Sequence, residues 1–152
     1  MLGNMLEWDA LSELKGIGFV RRENLDALTW VGMEYVHTGG VGDGGIDIFC
    51  QVAGRIVFPI QCKNYSRKGS VDRDIVYAHT EVTRRCAKKY GVVAVGIVVV
   101  PSMDSFSADA KEAAETAEGV VIFLSTKDQI PRYILPSVVN SRTGALTHFI
   151  LP

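Results

Sequence analysis

The sequence has no apolar run long enough to cross a bilayer. Its longest, Val92 to Val100, is interrupted by Gly96 and falls far short of the ~20 residues a membrane helix needs, so no membrane association is expected. The opening stretch MLGNMLEWDALSELK lacks a basic region leading into an apolar one, because acids and a lysine break it up. A cytoplasmic protein is the expectation. Cysteine is sparse. Cys50, Cys62 and Cys86 are odd in number and have no close C-x-x-C or H-x-x-x-H partner, which argues against a disulfide framework or a zinc motif and leaves small buried apolar residues. No internal repeat, low-complexity tract or linker interrupts the chain, and neither sign of charge dominates: 16 Lys or Arg meet 17 Asp or Glu, a net of −1.

What is present fits an ordinary globular chain. Its 152 residues are 47% hydrophobic and 22% charged, enough for one domain over 1–152 with a sizeable core. The near-zero net charge conceals an asymmetry. Residues 55–90 hold nine Lys or Arg against Asp72, Asp74 and Glu81, a net of +6, which leaves the remainder at −7. A phosphate backbone feels charge within a Debye length of about 8 Å, so a local basic stretch matters more than the total. A merely solvated helix face explains the same residues.

Along the chain, Leu2 to Leu14 predicts a short helix, and Lys15-Gly16-Ile17-Gly18 separates it from a second helical stretch at about Phe19 to Val31. Met33 to His37 then reads as a short strand, followed by a glycine turn over Gly39 to Gly45. Ile46 to Ala53 and Arg55 to Lys63 are strand-like runs joined at Gly54, which suggests a hairpin. Pro59 inside the second run favours an edge or a bulge. From Val71 to Tyr90, Val71, Ile75, Ala78, Val82 and Cys86 recur at helical spacing and predict one face on a sheet. Val92 to Val100 suits a central strand covered on both faces. Ser107 can cap a helix through about Glu118, and Val120 to Leu124 follows as another strand. The fold class expected is α/β. Its sheet should be mixed and flanked by helices, with an antiparallel hairpin followed by parallel β-α-β-α-β strands.

Gly40-Val-Gly42-Asp-Gly44-Gly45 fits the dinucleotide pattern G-x-G-x-x-G, but that pattern needs a helix to follow and here a strand does. A glycine turn explains the glycines and leaves Asp47 unexplained, since an unpaired carboxylate in an apolar strand is costly. In the second strand, Gln61 and Lys63 are two apart and share a face about 7 Å apart, away from Ile60 and Cys62. If the hairpin brings Asp47 beside them, a carboxylate, a neutral oxygen and an ammonium meet. Such a set suits Mg²⁺-assisted phosphodiester hydrolysis, and a buried Asp–Lys pair bracing two strands explains it equally.

TGGVGDGGIDIF, Thr38 to Phe49, with PIQCKNYSRKGSV, Pro59 to Val71, resembles the nuclease domain of Mrr-like restriction endonucleases, members of the PD-(D/E)xK superfamily. The likeness continues through VVAVGIVVV, SFSADAKEAAE and VVIFL, so it spans about 32–124. It leaves 1–31 as N-terminal helices and 125–152 as a C-terminal extension. The resemblance implies a restriction-endonuclease-like core cleaving DNA with Mg²⁺ or Mn²⁺. It makes Asp47 the metal-binding acid, Gln61 the replacement for a second acid and metal ligand, and Lys63 the catalytic lysine. Related nucleases often carry a further glutamate on the first core helix. At the comparable distance before Gly32 this chain has Arg21, with Glu23 two residues on and rotated by about 200° if helical, so Glu23 is a secondary candidate. Asp43 either bonds to turn amides or reaches a metal through water.

Arg67 and Lys68 follow Lys63 in a loop, and Arg73, Tyr77, Thr80, Arg84 and Lys88 form a stripe opposite the apolar face of the long helix. Arg67, Lys68, Arg73, Arg84 and Lys88 are the candidate DNA contacts, although Asp72 and Asp74 dilute their field. His37, His79 and His148 show no convergent pattern for a Cys-His hydrolase. The leading function is a metal-dependent DNA endonuclease of the Mrr-like restriction type. Alternatives are a Holliday junction resolvase of similar fold, or a non-catalytic DNA-binding subunit that retains it. A homodimer would let one site per chain cut both strands, with 136–152 and its Phe149-Ile150-Leu151 end as the contact or else packed on its own domain. A separate subunit would supply sequence specificity.

Overall fold

In a computed structural model of the chain, residues 2–25, 28, 32–38 and 45–143 are described, with side chains between residues 5 and 136. The order is α1 (Leu2–Gly16), β1 (Val20–Arg21), β2 (Met33–His37), β3 (Ile48–Val52), β4 (Ile56–Cys62), α2 (Arg73–Tyr90), β5 (Val93–Val100), α3 (Ala108–Glu115), β6 (Val121–Thr126) and α4 (Ile130–Thr143). The six strands form one sheet in the spatial order β1-β2-β3-β4-β5-β6. β2, β3 and β4 pair antiparallel, while β4, β5 and β6 run parallel through the crossovers α2 and α3. The mixed α/β sheet read from the sequence is the one observed, and it is consistent with a restriction-endonuclease-like fold.

Period-two alternation divides the core into layers. Ile48, Cys50, Ile56, Phe58, Ile60, Val95, Ile97 and Val99 face α1 and α4, where Leu6, Ala10, Leu11, Leu14, Ile130 and Ile134 meet them. On the other side Val98 and Val100 pack with Val76 of α2 and with Ala110 and Ala113 of α3, and Phe49, Val57 and Ala94 pack with Val82 and Cys86 of α2. Because β5 is covered on both sides, its sequence is apolar without alternation.

Two residues make the fit of α2 on the sheet close. A Cβ on Gly96 would collide with Thr83 Oγ1 and would lie 2.8 Å from Ile122 Cδ1 and 3.0 Å from His79 Cδ2, so only glycine admits the helix here. His79 is buried and donates from Nε2 to the Pro59 carbonyl at 2.8 Å. The edge or bulge expected from Pro59 is not found. β4 is central, its register with β5 runs on unchanged from Ile56–Val93 to Ile60–Ile97, and only the pairings at Phe58 and Pro59 drop out. Proline removes one donor, and His79 takes up its carbonyl instead.

α2 begins at the Asp72 cap, whose Oδ1 accepts from Asp74 N at 3.0 Å, and ends where Gly91 N donates to the Ala87 carbonyl at 2.9 Å. Its inward face differs from the expected one. Ala78 is exposed, whereas Val76, His79, Thr80, Val82, Thr83 and Cys86 are buried. Thr80 and Thr83 afford burial because each hydroxyl donates to the carbonyl four residues back, at 2.8 and 2.7 Å. Thr80 therefore leaves the expected solvent stripe.

The second helical stretch is also corrected. Val20–Arg21 forms a strand parallel to β2, and residues 22–25 are not helical. Arg22 N donates to the Tyr35 carbonyl at 2.8 Å and its guanidinium pairs with Glu34 at 2.6 Å, so pairing with β2 overrides local helix propensity. Glu34 also accepts from Gln51 Nε2 at 2.8 Å, while Gln51 Oε1 takes the Gly54 amide at 2.6 Å, which ties the β3–β4 turn to the sheet. The C-terminal extension begins as part of the core through Ile130 and Ile134 of α4. The proposed dimer contact beyond it, Phe149, Ile150 and Leu151, lies outside the described residues. Among the described residues no helix is long and apolar enough to cross a membrane.

Candidate active site

The β3–β4 register pairs Ile48 with Ile60, and Asp47, just before Ile48, stands at the carboxyl end of β4. Asp47 sits one residue before β3, fixed on both sides. Its amide donates to the Ile60 carbonyl at 2.9 Å, and its carbonyl accepts from Thr38 N at 2.9 Å. Its Oδ2 accepts from the Cys62 amide at 2.7 Å, which satisfies a β4 donor that has run out of strand partners. The carboxylate is thus tied to the backbone at the end of β4, at the residue between Gln61 and Lys63.

Gln61 and Lys63 are two apart at the end of β4, and Lys63 N extends the ladder by donating to the Val99 carbonyl at 2.8 Å. A Cβ on Gly45 would lie 3.0 Å from Gln61 Nε2, and Gly45 has a φ of +91°. Glycine is required there for both conformation and space. Lys63 Nζ stands 5.7 Å from the centroid of the Tyr65 ring, which is itself exposed.

Cys62 points to the opposite face. Burial pushes its thiol well up, and the nearby carboxylates of Asp47 and then Glu7, followed by Cys50, push it further, so it is no nucleophile at neutral pH. This exposes a residue that sequence reasoning missed. Glu7 of α1 is almost buried, stands 3.0 Å from His37 Nε2, and shares with Asp47 the electrostatic environment of the end of β4. Trp8 meets the His37 ring edge-on with centroids 5.3 Å apart. The signal was available: Glu7 lies three, four and seven residues before Ala10, Leu11 and Leu14, on the buried seam of its helix. An acid on an apolar face calls for a partner.

The other candidates separate. Arg21 is exposed in β1 and Glu23 is exposed beyond it, neither on a helix, so the expected helix acid is not there. Asp43 lies outside the described residues, as does most of the glycine turn. Arg67 and Lys68 are exposed in the loop between β4 and α2, which Gly69 N anchors by donating to the Asp104 carbonyl at 2.9 Å. Arg73 and Lys88 are exposed. Arg84 is committed elsewhere: Nε and Nη2 donate to the Glu118 carbonyl at 3.0 and 2.8 Å, and Nη1 pairs with Glu81. It is withdrawn as a DNA contact.

Among the described residues no three His, Cys, Asp or Glu cluster as a metal cage. The donors on the Asp47 face are a carboxylate and a neutral amide oxygen, which are hard ligands of the kind Mg²⁺ takes while keeping waters. Comparison with curated proteins gave no match, and neither did comparison with solved structures. A family model described as Restriction endonuclease, Mrr_cat, matches residues 20–131, a span that takes in every strand and all of the Asp47 face. The chain belongs to the Mrr_cat restriction endonuclease family.

Proposed function

We propose that the chain is a metal-dependent DNA endonuclease of the Mrr-like restriction type, with Asp47, Gln61 and Lys63 as its catalytic set. The observation that carries this reading is the contact of the Asp47 carboxylate with the Cys62 amide at 2.7 Å, which brings it to the residue between Gln61 and Lys63 at the carboxyl end of a central strand. Asp47 and the Gln61 amide oxygen would hold Mg²⁺ or Mn²⁺. When bound, the ion supplies electrostatic stabilisation to the charge that develops on the phosphate and leaving oxygens.

The chain's own groups do the rest. The Cys62 amide fixes the orientation of the Asp47 carboxylate. Lys63 orients the attacking water and neutralises a phosphate oxygen. Tyr65 holds its Nζ in place through the ring face. Glu7 supplies a second carboxylate near the same strand end, kept in position by His37. Arg67, Lys68, Arg73 and Lys88 offer exposed cations to flanking phosphates and carry no base specificity. A homodimer would account for double-strand cleavage, and a separate subunit for sequence choice.

The test is to incubate the pure protein with linear, nicked and four-way DNA, with and without Mg²⁺ or Mn²⁺, beside Lys63→Ala. Metal-dependent cutting of linear duplex that Lys63→Ala loses supports the endonuclease. Cutting confined to four-way DNA makes it a junction resolvase, and binding without cutting makes it a non-catalytic DNA-binding subunit.

A further inference from the structure

Beside the Asp47 face lies a cavity of about 440 Å³ that the proposed chemistry does not use. Its floor is apolar, with Ile46 and Phe49 from the sheet and Cys86 from α2, and its mouth carries Arg85, Lys89 and Glu23. Ile46, which lines the cavity, immediately precedes Asp47 in the chain, so the cavity adjoins the proposed site.

The cations at the mouth differ from the others on α2. Val82, Arg85, Cys86 and Lys89 fall at helical spacing on the side that lines the cavity. The thiol of Cys86 is raised by burial and drawn back by Lys89 and then Arg85, which places both charges within reach of the cavity floor. Arg84, next in sequence, is tied to Glu118 and Glu81, whereas no side-chain partner is described for Arg85. Lys89 Nζ stands 5.2 Å from the ring centroid of Tyr90, and that ring stacks on Phe49 at 5.2 Å. An apolar, aromatic-walled cavity of this size with two cations and one acid at its mouth matches a ligand with a flat ring at one end and an anion at the other.

We propose that this cavity is a nucleotide-binding pocket, which receives a nucleobase between α2 and β3 while Arg85 and Lys89 hold its phosphate. The inference rests on the nuclease reading in one respect: a strand whose phosphate lies at Asp47 and Lys63 brings its neighbouring nucleotide over the mouth, so the natural source is an unstacked nucleotide of bound DNA. A free nucleotide shares the chemistry.

Two probes separate the sources: deoxyadenosine 5′-monophosphate, titrated calorimetrically, and a short duplex carrying 2-aminopurine at a mismatch, followed by fluorescence and by anisotropy. The expected result is that the fluorescence rises severalfold as the wild type binds the duplex. Arg85→Ala with Lys89→Ala, both on the surface, weakens the nucleotide response at least about tenfold, the loss of two charge-assisted contacts. Cys86→Trp, which fills the floor, abolishes the rise, and Cys86→Ser retains it; if the tryptophan variant does not fold, the surface pair still decides. Duplex binding with flat fluorescence and no nucleotide saturation overturns the pocket and leaves the nuclease reading intact. Nucleotide saturation that needs Arg85 and Lys89, with no duplex binding, upholds the pocket for a free nucleotide and counts against DNA as the substrate. Failure of both probes overturns the pocket.

Discussion

The Cys62 amide donates to Asp47 Oδ2 at 2.7 Å, joining the last residue of β4 to the residue that precedes β3. One carboxylate therefore closes the end of the sheet and stands at the proposed metal position. The two roles separate by substitution. Asp47→Asn keeps an oxygen for the Cys62 amide and should leave the urea midpoint nearly unchanged while cleavage falls steeply. Asp47→Ala should lose cleavage and also about 1–3 kcal/mol of stability, because a partly buried amide is left unsatisfied. Equal stability of the two variants would show that the contact contributes nothing.

Glu7 and Glu23 offer competing choices for the helix acid. Glu7→Gln removes the charge facing His37 and should lower single-turnover cleavage on the order of 10–100-fold, the range seen when a group supporting a metal site is lost, with duplex affinity retained. Glu23→Gln should cut at the wild-type rate. The opposite pattern would return the role to Glu23.

Gly96→Ala tests how closely α2 sits on the sheet. The added carbon meets Thr83 and Ile122, both in packed surroundings, and displacement of the helix should cost about 1–3 kcal/mol in denaturant unfolding. Thr83→Ala in the same background should recover part of that loss, since it removes the nearest obstacle. No recovery would place the strain elsewhere.

His79 makes stability depend on pH. Burial pulls its pKa down from 6.5 to about 4, with the bond to the Pro59 carbonyl opposing the shift. The unfolded chain thus binds a proton between those values that the folded chain refuses. Stability is complete above about pH 6.5 and falls as the pH is lowered toward 4, by up to about 3 kcal/mol from this group alone. His79→Gln keeps a donor for Pro59 without the titration, so the difference in unfolding free energy between wild type and variant should shrink or reverse on acidification through that window. A constant difference would mean His79 is not the titrating group.

The sheet was legible where its signals are local. β2 over Met33–His37, the hairpin at Gly54 and the run of β5 follow from alternation, a turn glycine and continuous apolarity, and Gln61 and Lys63 follow two apart at the end of β4. What escaped depends on distant partners. β1 exists because β2 offers it an edge, and the Arg22–Glu34 pair that secures it spans 12 residues. Glu7 is buried by His37, 30 residues away. Thr80 reads as solvent-facing because a hydroxyl that bonds back to the helix sheds its polarity only in context. α4 escaped because Pro131 and Pro136 interrupt its sequence, although Ile130 and Ile134 keep the spacing that reaches the core.

The central claim is that the Asp47, Gln61 and Lys63 face cleaves DNA with a divalent metal. Single-turnover cleavage of a duplex by wild type and by Lys63→Ala, at protein concentrations where anisotropy shows both fully bound, tests it most directly. The account predicts cutting by the wild type in Mg²⁺ or Mn²⁺ and none in chelator, with Lys63→Ala slower by on the order of 10²–10³-fold and its fold unchanged by circular dichroism. Equal cutting by both proteins, or bound duplex left intact by the wild type in Mg²⁺ and in Mn²⁺, would contradict it.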